Sequence, residues 1–255
     1  MPRRQNRILP LIGVIALLGL TMSPGILPAK PFALDQPDSV GGAPSPGPST
    51  GTPRSASVVT IGDSIMSGHG VGSDEAWVSL VAVEKGWHAT NLAEDGAGFL
   101  AIGDNGNTFA DEARAAVTMD PDLIVIGGSS NDFGADDTAL EAATLSTISY
   151  LHAALPNTEI IGLSTVWGSD NYPDQLLEVN NQVNRAVVTA NGIYLDIAQP
   201  IADGTGLLQP DEIHPTPLGQ RLLATAISAA LTKAGVVYGP RLDDPNVDLH
   251  RELTG

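Results

Sequence analysis

Five short apolar segments recur between Val58 and Ile197, and helical stretches separate them; this alternation constrains the fold more than any single motif. The segments are Val58-Val59-Thr60-Ile61, a weaker one from His88 to Ala93, Leu123-Ile124-Val125-Ile126, Ile160-Ile161-Gly162-Leu163 and Ile193-Tyr194-Leu195-Asp196-Ile197. Each is short, and all but the weaker second one carry the β-branched, apolar residues of strands buried on both faces. Between and after them Leu140, Thr144, Ile148, Leu151 and Leu155 share one helical face. So do Leu176, Val179, Val183 and Val187, and later Leu223, Ile227 and Leu231. Strands alternating with helices predict an α/β domain, a parallel sheet with helices on both faces. In such a sheet, sites form beyond the carboxyl ends of the strands, near the point where strand order reverses.

The ends of the chain read differently. Arg3, Arg4 and Arg7 precede an apolar run, Ile8 to Leu20, and no charge appears from Ile8 to Ala29. A positive region followed by an apolar one is an export-signal layout. The uncharged stretch is also long enough to span a bilayer, which takes roughly 20 residues. Residues 1–34 are therefore read as a signal peptide or an N-terminal membrane anchor, with the rest of the chain outside the cytoplasm, secreted or tethered. Residues 35–56 are dominated by Pro, Gly, Ser and Thr without apolar periodicity, and form a flexible linker. Residues 57–236 make the catalytic domain, and 237–255 a polar tail.

Charge and cysteine content exclude several function classes. Five of the 12 basic residues precede residue 55, against two of the 29 acidic ones, so the remainder carries seven against 27, a net of −20. Such a surface repels nucleic acid, and suits neutral or cationic substrates better than polyanions. The chain has no cysteine, so it holds neither a disulfide framework nor a thiolate metal site.

The residues that carry chemistry lie at strand ends. The first strand runs into Gly62-Asp63-Ser64-Ile65-Met66-Ser67-Gly68, which displays Ser64 where sites form. Asp211-Glu212-Ile213-His214-Pro215 precedes the last helix. An i, i+3 spacing lets one turn bring the Asp211 carboxylate to the His214 imidazole and fix its tautomer. His214 then serves as general base toward Ser64. His69, the other histidine near Ser64 in sequence, lies in a glycine-flanked loop and is expected to face solvent. Asn91 to Gly98 closes the second strand and Gly127 to Asp132 the third. Ester hydrolysis needs donors for the oxyanion of a tetrahedral intermediate. The N–H groups of Ser64 and Gly96 and the side-chain amide of Asn131 are suitable.

Gly62-Asp63-Ser64, Gly96, Asn131-Asp132 and Asp211-x-x-His214 occur in the order and context of the SGNH (GDSL-like) hydrolase family, and residues 57–234 resemble it. The resemblance implies a three-layer, flavodoxin-like fold around a mostly parallel five-stranded sheet, and a serine esterase acting without a cofactor. It implies Ser64 as nucleophile, His214 as base with Asp211 as its partner, and Ser64, Gly96 and Asn131 as the oxyanion hole. Ser129 departs from the pattern, standing where the third block usually has glycine. Gly98 rivals Gly96, but Asn91-Leu92-Ala93 sets the register in favour of Gly96.

No metal is expected. The tail segment Asp244 to Asp248 has Leu249 where a calcium loop needs its turn glycine. No phosphate-binding glycine pattern follows the first strand, so a nucleotide is not expected either. The expected substrate is a small-molecule or glycan acyl ester, short-chain or carbohydrate-linked. Trp167 is read first as a core residue, and Trp167 and Tyr172 as stacking surfaces for a sugar in the alternative. A transacylase on the same residues and a non-catalytic cell-surface binding module are the competing readings.

Overall fold

The computed structural model describes residues 55–236 apart from Asp170 and Asp203. The signal or anchor segment, nearly all of the linker and the tail lie outside the described residues. Five strands, β1 (Ser57–Ile61), β2 (His88–Asn91), β3 (Leu123–Gly127), β4 (Glu159–Leu163) and β5 (Ile193–Leu195), form one sheet in the order β2-β1-β3-β4-β5. Every pairing is parallel. This is the flavodoxin-like order, in which the chain leaves β1 toward β2 and returns to build β3 on β1's other side. The crevice of that reversal lies between the carboxyl ends of β1 and β3.

Alternate residues of the strands feed two cores. Val59, Ile61, Ile124 and Ile126 face α3 (Phe109–Val117), α4 (Asp137–Ala154) and α5 (Asp174–Thr189), and pack with Phe109, Leu140, Ile148, Leu151 and Val183. Val58, Leu123, Val125 and Ile161 face α2 (Trp77–Lys85) and α6 (Pro217–Lys233), and pack with Trp77, Val81, Leu223 and Ile227. Each such side chain contributes about 1.5–3 kcal/mol by leaving water, so the two layers fix strand register as well as stability. A slip of one residue would exchange the two sets.

Two strands end earlier than their apolar runs. The Asn91 side-chain oxygen accepts from the N–H of Ala93 at 3.1 Å and turns the chain out of β2. Beyond β5, the N–H of Ile197 donates to the Ser164 hydroxyl at 3.1 Å rather than to a strand carbonyl. Asp196 accepts from the N–H of Ala198, whose φ of 55° no strand allows.

Candidate active site

β1 delivers the first side chain. Past Ile61 the chain crosses Gly62 and Asp63 into a single helical turn, α1 (Ser64–Ser67). Asp63 caps it, accepting from the N–H of Ile65 at 3.1 Å, and leaves the first N–H, that of Ser64, unspent by the helix. Ser64 thus presents its hydroxyl and its own N–H at the carboxyl edge of the sheet.

The loop before α6 delivers the second pair. Thr216 caps α6 through the N–H of Gly219, and Pro217 opens it. The approach to that cap is a tight loop: Gln209 N–H donates to the His214 carbonyl at 2.7 Å, and Thr216 N–H to the Leu207 carbonyl at 2.8 Å. Inside it, Asp211 Oδ1 accepts from the N–H groups of Ile213 and His214, both at 3.0 Å. Glu212 takes a left-handed φ of 59° to make the turn. Asp211 Oδ2 lies 2.8 Å from His214 Nδ1, and His214 Nε2 lies 2.9 Å from Ser64 Oγ. The hydrogen bond from His214, then the two backbone donors, hold the Asp211 carboxyl well below the usual carboxylate range. An ionised carboxylate only accepts, so the proton sits on Nδ1, and Nε2 offers its lone pair to the Ser64 hydroxyl.

The third strand and the loop after β2 complete the crevice. Asn131 lies in a 3₁₀ turn, Ser130–Asp132, just beyond β3. One N–H of its amide donates to the Ala97 carbonyl at 2.9 Å, which fixes the plane of the amide and leaves its second N–H for another acceptor. Gly96 has a φ of 79°, a conformation that side chains disfavour. The Gly98 N–H is spent on the Ala101 carbonyl, whereas that of Gly96 has no such partner among the described residues. A Cβ on Gly98 would come within 2.5 Å of the Asp132 carboxylate, so Gly98 serves packing.

Sequence reading missed the groups that hold this frame. Asp132, buried, accepts from the N–H groups of Phe99, Leu100 and Ala101 at 2.7–2.9 Å and pins the loop that carries Gly96. Ser129, fully buried, donates to Asp63 Oδ2 at 2.8 Å and accepts from the Asn131 N–H at 3.1 Å. The serine that departs from the family pattern therefore links the turns of Ser64 and Asn131. Burial pushes the Asp63 carboxyl up, against the hydrogen bond from Ser129 and those from the N–H groups of Ile65 and Met66. Beneath it Glu112 Oε2 accepts from the Gly62 N–H at 2.9 Å, and burial pushes that carboxyl up to about 8. No periodicity marks these contacts; the presence of Asp132 beside Asn131 was the one visible signal.

His69 is exposed, as expected, but it also lies against the site. Its ring centroid is 4.1 Å from that of His214, and its Nδ1 is hydrogen-bonded to Asp95. Among the described residues, the metal-ligand types converge at His69, Asp211 and His214. A groove of about 350 Å³ opens beside Ile65, Ser130 and Ile213, neighbours of Ser64, Asn131 and His214, and runs along Val166, Trp167 and Leu208. Trp167 is half-buried, its ring 5.6 Å from that of Phe133, so it lines this groove rather than the core.

The model of the GDSL-like lipase/acylhydrolase family matches residues 60–222. A GDSL lipase of Mycobacterium tuberculosis is 28% identical over 190 residues, which cover 69% of this chain and 81% of that protein. Among solved structures, the psychrotrophic esterase EstA from Pseudoalteromonas superposes with a TM-score of 0.58 at 16% identity, over 71% of this chain and 99% of that one. A family two carbohydrate esterase from Clostridium thermocellum, in complex with cellohexaose, gives 0.58 at 19% identity, over 72% and 67%.

Proposed function

Because the chain belongs to the GDSL-like lipase/acylhydrolase family, whose members act on esters, we propose that it hydrolyses acyl esters through a covalent acyl-enzyme on Ser64. The observation that carries this reading is the unbroken chain from Asp211 through His214 to Ser64 Oγ, at 2.8 and 2.9 Å. His214 Nε2 takes the Ser64 proton as Oγ attacks the ester carbon, and returns it to the departing alcohol. Asp211 holds the imidazole in place and stabilises the imidazolium. The N–H groups of Ser64 and Gly96 and the free N–H of the Asn131 amide bind the oxyanion. Water activated by His214 then releases the acid.

The groove along Val166, Trp167 and Leu208 supports a short acyl chain or the face of a sugar as the bound group. The acidity of the chain favours neutral esters over polyanionic ones. Export rests on Arg3, Arg4 and Arg7 before the apolar run from Ile8, and we place the domain outside the cytoplasmic membrane, secreted or tethered. A periplasm-dependent reporter fused after residue 56 tests this: activity without residues 1–34 would refute export.

The hydrolytic reading is tested with p-nitrophenyl esters of increasing chain length and with acetylated glycans. A fluorophosphonate should label Ser64 alone, and Ser64→Ala should lose both label and activity. Hydrolysis surviving that substitution above a few per cent would overturn the assignment.

A further inference from the structure

His69 and Asp95 have no part in the esterase chemistry, yet they lie at the mouth of its site. The Asp95 carboxylate accepts from His69 Nδ1, so His69 keeps the lone pair on Nε2. A carboxylate behind an imidazole in this way is the arrangement that orients metal-ligating histidines. The His69 ring lies on that of His214, centroids 4.1 Å apart and planes tilted by 33°. Gln209 ties the two loops together, donating from Nε2 to the His69 carbonyl at 2.7 Å and to the Pro215 carbonyl at 3.1 Å. One ligating atom from each of His69, Asp211 and His214 lies within 4.8 Å of the others.

We infer that His69, Asp211 and His214 form a binding site for one transition-metal ion of the zinc class, and that the bound ion holds the hydrolase off. The inhibitory half rests on the reading of His214 as base. Two imidazoles and a carboxylate suit zinc, copper or nickel, whereas magnesium and calcium take oxygen ligands. Three protein ligands leave a fourth tetrahedral position for water. Bonds of about 2.0–2.2 Å place tetrahedral ligand atoms roughly 3.3 Å apart. Asp211 Oδ2 and His214 Nδ1 already lie 2.8 Å apart, and no pair of the three ligating atoms is more than 4.8 Å apart, so the adjustment is about an ångström and a half at most. His69 and Asp211 are both exposed, so their side chains can make that adjustment without opening the core.

Inhibition follows from either nitrogen of His214. An ion on Nε2 takes the lone pair that accepts the Ser64 proton. An ion on Nδ1 displaces the bond to Asp211 and forces the proton onto Nε2, which then donates toward Ser64 and cannot act as base. The metal is thus an off-switch and plays no part in turnover, in keeping with a cofactor-free hydrolase.

The test uses the full chain without a histidine tag. Zinc is titrated against a chromophoric chelator while p-nitrophenyl acetate hydrolysis is followed in the same buffer. One zinc per chain should bind, the rate should fall as the site fills, and chelation should restore it. Magnesium and calcium at the same concentration should do neither. His69→Gln should weaken both binding and inhibition at least tenfold, each rate being compared with that of the same variant without metal. Ser64→Ala should keep the zinc affinity, which separates the metal site from the hydrolytic reading. Binding unchanged in His69→Gln, or zinc held through His69 with no loss of rate, would overturn the inference. Zinc held through His69 by a chain inactive on every ester would overturn the hydrolytic reading and leave the metal site standing.

Discussion

Glu112 should make this protein lose stability as pH rises through neutrality. The residue is 4% exposed, and its Oε1 has no hydrogen-bond partner, while the backbone N–H groups of Gly62 and Glu94 donate to the carboxylate. Burial, with repulsion from Glu94 and Asp63, raises its pKa from 4.5 to about 8. Between those two values the native state holds a proton that the unfolded chain has released. Stability therefore falls with rising pH across that window, by at most about 1.4 kcal/mol per pH unit. Below the lower value the group is neutral in both states, and above the upper one it is charged in both, so its effect levels off. Glu112→Gln stays neutral throughout and keeps an oxygen for the Gly62 N–H. The variant's stability minus that of the natural protein should rise by roughly 3 kcal/mol from pH 5.5 to pH 8. Urea unfolding of both proteins at four pH values and fixed ionic strength measures this, and the titrating groups that do not interact with Glu112 cancel in the difference; Glu94 and Asp63, which repel it, do not. A difference that stays constant with pH would refute a buried, protonated Glu112.

Ser64→Ala and His214→Ala should each abolish nearly all ester hydrolysis, and the double variant should be little worse, because the two residues act as a unit; kcat/KM for p-nitrophenyl acetate checks this. Asn131→Ala should lower kcat by about 10²–10³ with KM little changed, the usual cost of one oxyanion donor. Asp211→Asn should cost less than the roughly 10⁴ seen where a serine protease loses its orienting carboxylate, because the N–H of His214 still ties that loop to residue 211. Asp132→Ala should lower the thermal midpoint steeply, since three N–H groups lose their acceptor at about 1–3 kcal/mol each, and Asp132→Asn should recover part of the loss.

What the sequence determined by itself is what depends on neighbours along the chain. β1, β3, β4 and β5 are legible because their apolar, β-branched runs need no partner to be recognised, whereas β2 is weak because its residues are polar and largely exposed; α4, α5 and α6 are legible because their apolar faces repeat at helical spacing. The Asp211–His214 pair is legible for the same reason, since three residues of backbone bring the carboxylate to the imidazole. The contact of His214 with Ser64 joins residues 150 positions apart, and spacing carries no such information; only the resemblance of the ordered blocks pointed to it. Tertiary structure alone decided that Ser129 bridges the turns after β1 and β3, that Asp132 pins the Gly96 loop, that Glu112 is buried beneath Gly62, and that His69 rests on His214. Each of these contacts depends on strand order and register, which are set by how two cores pack on opposite faces of one sheet. A buried carboxylate and a solvated one are the same letter in a sequence, and only packing gives them different chemistry.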